Sequence, residues 1–252
     1  MRDISYLSLG LTFLLILAFI LFSAWQRLGL AKDTFFSSLR GAIQLLAVGY
    51  VIAYIFVIEN GWILAGVVSL MAGIATAVSA GRSKRVAGIW KLIATAIFVS
   101  VSVTLGLLLT FGAIEWSGKF VIPIGGMLVG QAMNNSSLFL ERLLSDVRRN
   151  GLQIESNLAL GARPREAIRG LVRQALIADS IPTIDSMKTL GLIYLPGMMA
   201  GLIIGGISPI IAVKYQLVVI FMIVFEFGLS SMILAFLAHR FLFNKAHQLK
   251  EC

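Results

Sequence analysis

An all-α protein threaded through a bilayer is the fold class this sequence predicts, and three observations predict it. Of its 252 residues, 58% are hydrophobic and only 13% charged, with mean hydropathy +0.92. A soluble domain carries roughly a quarter charged residues. Seven stretches run almost free of Asp, Glu, Lys and Arg, each near the ~20 residues a spanning helix needs. The basic residues, finally, fall mostly between alternate stretches. Together these exclude a water-soluble enzyme, and intrinsic disorder, which needs low hydrophobicity.

The stretches, in order, are Ile4–Gln26, Gly41–Ile58, Asn60–Gly81, Leu92–Ile114, Phe120–Leu140, Thr189–Val213 and Tyr215–His239, the last interrupted by Glu226. Lipid offers no partner to a backbone N–H or C=O, so each must be a helix. Barrel strands would be shorter and polar at every second position. The first stretch is read as a permanent span rather than a secretory signal. One Arg and one Asp precede it, its apolar run is long, and basic residues follow it.

Charge fixes the threading. With the N-terminus outside, Arg27, Lys32 and Arg40 fall inside, as do Arg82, Lys84, Arg85 and Lys91. The long fifth loop adds Arg142, Arg148, Arg149, Arg163, Arg165, Arg169, Arg173 and Lys188, and the tail adds Arg240, Lys245 and Lys250. Eighteen of the 21 basic residues are then cytoplasmic, leaving Arg2, Lys119 and Lys214 outside. The positive-inside rule thus predicts N-out and C-in. Anionic lipid accounts for the net charge of +9, so no nucleic-acid partner is expected.

No linker separates a second domain, so residues 1–252 read as one membrane domain with a cytoplasmic segment at about 141–188. Leu140, Leu143, Leu144 and Val147 recur at helical spacing beside charged residues, which continues the fifth span as an amphipathic helix. Asn150-Gly151 is a natural stop. A short helix from Gln153 to Leu160 follows, then a turn, then a helix with Ala167, Ile168, Leu171, Val172 and Ala175 on one face. Ile181-Pro182 is expected to end or bend it.

Candidate chemistry begins with absences in the sequence. There is no G-x-x-x-x-G-K-[ST] phosphate loop and no H-E-x-x-H. The two histidines, His239 and His247, build no Ser/His/Asp arrangement. The reading is a transport subunit rather than an enzyme, with no cofactor of its own. The lone cysteine, Cys252, allows no intrachain disulfide. With His247 it reads as part of a solvated tail, not a metal site.

The clearest positive signal is Glu155-Ser156-Asn157-Leu158-Ala159-Leu160-Gly161-Ala162-Arg163-Pro164: a short helix, a glycine turn, and a proline opening the next helix. On physics alone, such an elbow either fits a groove on a cytosolic partner or lies on lipid headgroups. The pattern E-x-x-x-x-L-G-A-x-P resembles the coupling segment of ABC importer permeases. Three blocks further resemble FetB-like ABC permeases, the family of bacterial iron exporters and plant aluminium-tolerance proteins. They are VIPIGGMLVGQAMN (121–134), LGARPREA (160–167) and IPTIDSMKTLGLIYLPGMMAGLIIGGISPIIAVKYQ (181–216), and LRGAIQLLAVGYV (39–51) fits as well.

That resemblance implies a permease homodimer in the bacterial inner membrane, working with two copies of a separate P-loop ATPase that binds ATP and Mg. It implies metal export, with iron foremost. By motif position Glu155, Leu160, Gly161, Ala162 and Pro164 would form the coupling element. Ser156 and Asn157 depart from the alanines of the broader motif.

Other candidates sit inside the spans. Gly126 and Gly130, and Gly197, Gly201 and Gly205, repeat at four-residue spacing, which lets helices approach closely within one chain or across a dimer. Pro196-Gly197 interrupts its helix, as a packing kink or a gate. Met127, Gln131, Asn134 and Asn135 share a helix face that must avoid hydrocarbon. Glu226 is either a functional acid, with Lys188 or a proton as partner, or a neutral hydrogen-bonding group. Gln44 is expected to bond between helices. Met198 and Met199, with Met127 and Met133, read as flexible packing or as soft-metal ligands. Asp179 and Asp185 read as helix caps or as attractors of cations. The translocation path is accordingly placed on Met127, Gln131, Asn134, Asn135, Pro196, Met198, Met199 and Glu226. A gradient-driven transporter or channel with Glu226 as carrier is the alternative.

Overall fold

The computed structural model describes residues 5–56, 59–82, 88–244 and 248–250. Arg2, Lys84, Arg85, Lys245, His247 and Cys252, and the outer ends of the first two predicted spans, lie outside the described residues. The described chain is helical, and its helices gather into two compact units, residues 1–57 and 58–252.

The first unit holds α1 (Tyr6–Trp25) and α2 (Ala31–Ile55), packed on each other. Ser5 caps α1 by accepting from the Leu7 N–H at 3.3 Å. The turn between the helices uses Arg27 and Gly29 at positive φ. α2 starts ten residues before the predicted span. Its first three turns, carrying Lys32, Asp33 and Arg40, are helical rather than loop. Gln44 is exposed on α2.

The second unit holds α3 (Gly61–Arg82), α4 (Ile89–Thr110), α5 (Gly118–Arg149), α6 (Gly151–Ala159), α7 (Pro164–Ala167), α8 (Arg169–Thr189), α9 (Gly197–Ile204) and α10 (Pro209–Leu242). Contacts fix the helix directions. Val68 lies at Gly125 and Ser79 at Ser137, so α3 and α5 run parallel. Ile89 and Leu92 meet Phe241 and Leu242, and Ser100 meets Glu226, so α4 opposes α10. Asp179 meets Ser231 while Leu190 and Gln216 border one cavity, so α8 also opposes α10. The core lies along these seams, with Phe139, Leu64, Ile93 and Leu128 among its fully buried side chains.

Among the described residues, four helices are long and apolar enough to cross a membrane: Ala31–Ile52, Gly61–Gly81, Ile89–Thr110 and Pro209–Leu242. Less than half of each apolar window is buried inside the chain. The protein is an integral membrane protein, and lipid covers apolar surface that water would not tolerate.

One expectation about the helices needs correction, and another, which left an end or a bend open at Pro182, is narrowed. The predicted span Thr189–Val213 is not one helix. Residues 190–196 are non-helical, α9 has 8 residues and α10 already begins at Pro209. The breaks follow from Gly191 and Gly206 at positive φ and from Pro196 and Pro209, which open the following helices. At 1.5 Å per residue α9 reaches about 12 Å, too short to cross a bilayer alone. Nor does Pro182 end α8, which runs on to Thr189. Proline there forfeits one backbone bond, while packing against α5 and α10 keeps the segment helical.

The close approach on α5 is made by Gly125, where a Cβ would lie 2.9 Å from Val68 Cγ2, whereas at Gly126 it would meet only the flexible end of Met71 at 3.1 Å. Gly130, Gly197 and Gly201 have nothing from the described chain within 4 Å of such an atom, and at Gly205 the nearest atom is the Gly201 carbonyl oxygen.

Candidate functional site: an elbow and an interhelical cavity

The elbow is a helix stop closed by its own backbone. Gly161 takes φ +90; its N–H donates to the Leu158 carbonyl, and that of Ala162 to the Asn157 carbonyl, both at 3.0 Å. This pair of bonds is a Schellman motif, which needs a residue free to enter the left-handed region. Pro164 opens α7, and the Glu166 carboxylate accepts from the Arg163 N–H at 3.1 Å. Ile154 and Ile168 anchor the two arms in the core. The Arg165 guanidinium sits 4.8 Å from the Phe236 ring centroid, tying the elbow to α10.

The tip, by contrast, is unsupported: Leu160 is 87% exposed. An open cleft of about 1220 Å³ separates the elbow from the end of α10, bordered by Glu155, Arg163, Arg165, His239 and Arg240. A rigid base, a bare apolar tip and a basic cleft suit contact with another surface.

A second feature lies between α5, α8, α9 and α10. A cavity of about 260 Å³ is bordered by Met127, Thr183, Ser186, Met187, Met198 and Gln216, beside the non-helical segment 190–196. Of the residues placed on the translocation path from sequence, Met127, Pro196 and Met198 meet here. Gln131 and Asn135 meet each other, Nε2 donating to Oδ1 at 3.1 Å. Asn134 is exposed and Met199 is half-buried, and neither borders this cavity.

Glu226 also stands apart from it. The residue is 0% exposed, and its Oε1 accepts from the Ser100 hydroxyl of α4 at 2.9 Å. Lys188 is not its partner, because that ammonium pairs with Asp185 at 3.1 Å on the exposed face of α8. Asp179 and Asp185 cap nothing, as both sit inside α8. Asp179 is 2% exposed and accepts from the Ser231 hydroxyl of α10 at 3.0 Å. With Ser79–Ser137 at 2.9 Å, these bonds clasp α3 to α5, α4 to α10 and α8 to α10, polar links of the kind that hold helices together in lipid. Among the described residues no group of three or more His, Cys, Asp or Glu side chains could hold a metal ion.

Residues 6–243 match the family described as an uncharacterised protein family, UPF0014. The chain belongs to this family. It is 40% identical over 248 residues to the probable iron export permease protein FetB of Escherichia coli, covering 98% of this chain and 96% of that protein. It is 38% identical to the UPF0014 membrane protein YjkA of Bacillus subtilis, over 98% of both chains. Against ALUMINUM SENSITIVE 3 of Arabidopsis thaliana the identity is 35%, over 93% of this chain and 86% of that one. No solved structure matches. Resemblance to FetB-like permeases, drawn from three sequence blocks, thus extends over nearly the whole chain.

Within this UPF0014 chain, the parts that sequence reasoning missed are the serines. Ser79, Ser100, Ser137 and Ser231 each supply half of an interhelical bond. Their only signal is a small hydroxyl on an otherwise apolar helix, which is legible once the facing helix is known. Gln216 and Thr183 were missed as well. Neither stands out until α8 is seen to line the cavity, because the sequence reading starts its sixth apolar run only after Lys188.

Proposed function

We propose that this UPF0014 protein is the membrane subunit of an ABC-type metal exporter. It works as a homodimer with two copies of a separate P-loop ATPase, which supplies ATP and Mg chemistry that no motif in this chain could bind. The observation that carries the reading is the elbow at Gly161, a packed base with an unpartnered leucine at its tip. Closure of the ATPase pair would push that tip, and Ile154 and Ile168 would transmit the displacement into α5 and α8, the helices beside the cavity.

The threading is N-out and C-in in a bacterial inner membrane, with seven crossings. Helix directions support it: α3, α5 and α10 descend toward the basic side while α4 and α8 ascend. In this reading α8 and α9 together make the sixth crossing, broken at 190–196. Iron is the first cargo to consider, because the E. coli relative is named a probable iron export permease. The open glycine faces at Gly130, Gly197 and Gly201 are the surfaces offered to the second permease copy. Burial of Glu226 against Ser100 favours a helix clasp over a proton carrier.

Native mass spectrometry of the complex purified with its ATPase subunit tests this. Two permease and two ATPase chains are expected. A permease that assembles with no ATPase would refute the reading.

A further inference from the structure

Around the cavity at the break after α8, every polar group on offer is neutral. Three helices each contribute one thioether: Met127 from α5, Met187 from α8 and Met198 from α9. Gln216 of α10 is 8% exposed, and its Oε1 has no hydrogen-bond partner. The Ser186 hydroxyl donates its proton to the Thr183 carbonyl at 2.7 Å, which leaves oxygen lone pairs free. Among the described residues no Asp, Glu, Lys, Arg or His borders the space. The cavity therefore offers lone pairs and no formal charge.

That chemistry selects its ligand. Lone-pair donors call for a cation. The cost of stripping water from an ion rises with the square of its charge, about fourfold for a divalent and ninefold for a trivalent ion relative to a monovalent one, and neutral ligands cannot offset it for the higher charges. Thioethers prefer soft ions, whereas hard ions such as ferric iron and aluminium prefer oxygen anions. The broken helix beside the cavity resembles the discontinuous helices that hold ions in other transporters.

We propose that this cavity binds a soft monovalent cation, Cu(I) or Ag(I), through Met127, Met187, Met198 and the Gln216 carbonyl oxygen. The proposal rests on the permease reading and adds a cargo class to it. Because the three methionines sit on both sides of residues 190–196, ligation would draw α9 toward α8 and close the break.

Silver, which needs no reductant, is the probe. Isothermal titration with Ag(I) of the full chain in nanodiscs, with Cys252→Ser in the parent and in every variant so that no thiol competes for silver, should give one site per chain. The triple variant Met127→Leu/Met187→Leu/Met198→Leu, close to volume-conserving, should bind at least about tenfold more weakly, a loss of roughly 1.4 kcal/mol. Met71→Leu should bind like the parent. Silver K-edge absorption of the parent should show sulfur neighbours; a first shell of oxygen and nitrogen alone would overturn the proposal, as would equal binding by the triple variant or no binding by the parent. ATPase association, measured on the same preparations, separates the two readings. Its loss with silver binding intact refutes the permease reading alone, and its presence without silver binding refutes the site alone.

Discussion

Leu160→Arg should uncouple the ATPase from the permease while leaving the permease folded. The side chain is 87% exposed at the tip of the elbow, so replacing it removes little packing inside the chain. Its neighbours hold their shape without it, since the turn is closed by the backbone bonds of Gly161 and Ala162. An arginine there would put a charge where a complementary surface expects an aliphatic side chain. An unpaired charge buried in an apolar contact costs about 2 kcal/mol or more, and each 1.4 kcal/mol is a factor of about ten. ATPase association should therefore weaken by at least about tenfold in a pull-down at fixed concentrations, with the thermal midpoint of the permease unchanged. An unaltered affinity would mean that the tip rests on lipid headgroups instead.

Glu226 should separate structure from proton coupling. In Glu226→Gln the amide oxygen still accepts the Ser100 hydroxyl bond, so stability should fall by no more than about 1 kcal/mol and transport should persist. Glu226→Ala removes a fully buried side chain and loosens α10 from α4. The lost packing and the hollow left behind cost roughly 2–4 kcal/mol. Thermal unfolding in detergent should show a clear drop for alanine and a small one for glutamine. Should glutamine abolish transport while the protein stays folded, the acid is a carrier and the gradient-driven alternative gains.

The sequence states the membrane class plainly because burial in lipid leaves a compositional record that needs no tertiary information. Helices α3 and α4 end within about one turn of the spans read from charge-free runs, since lipid contact alone decides their apolarity. The predicted span Thr189–Val213 failed as a single helix for the opposite reason. α8 carries Asp179, Thr183, Asp185, Ser186 and Lys188, and a rule that equates membrane depth with apolar runs passes over a helix whose polar face meets other helices and a cavity. The elbow was legible because Gly161 and Pro164 act through local backbone geometry. The cavity was not, because it depends on which residues of α5, α8, α9 and α10 face one another, and spacing along one helix carries no such information. Methionine illustrates the limit: Met127 and Met198 border the cavity while Met133 does not, and nothing in the residue type distinguishes them.

The central claim is that force for transport arrives from a cytosolic motor through the Gly161 elbow. Metal flux into proteoliposomes tests it most directly, with the permease reconstituted alone and then with its ATPase facing the medium. Flux is predicted only when ATPase, ATP and Mg are all present, and Leu160→Arg should reduce it to the level of empty liposomes. Metal movement by the permease alone under a proton gradient would contradict the account.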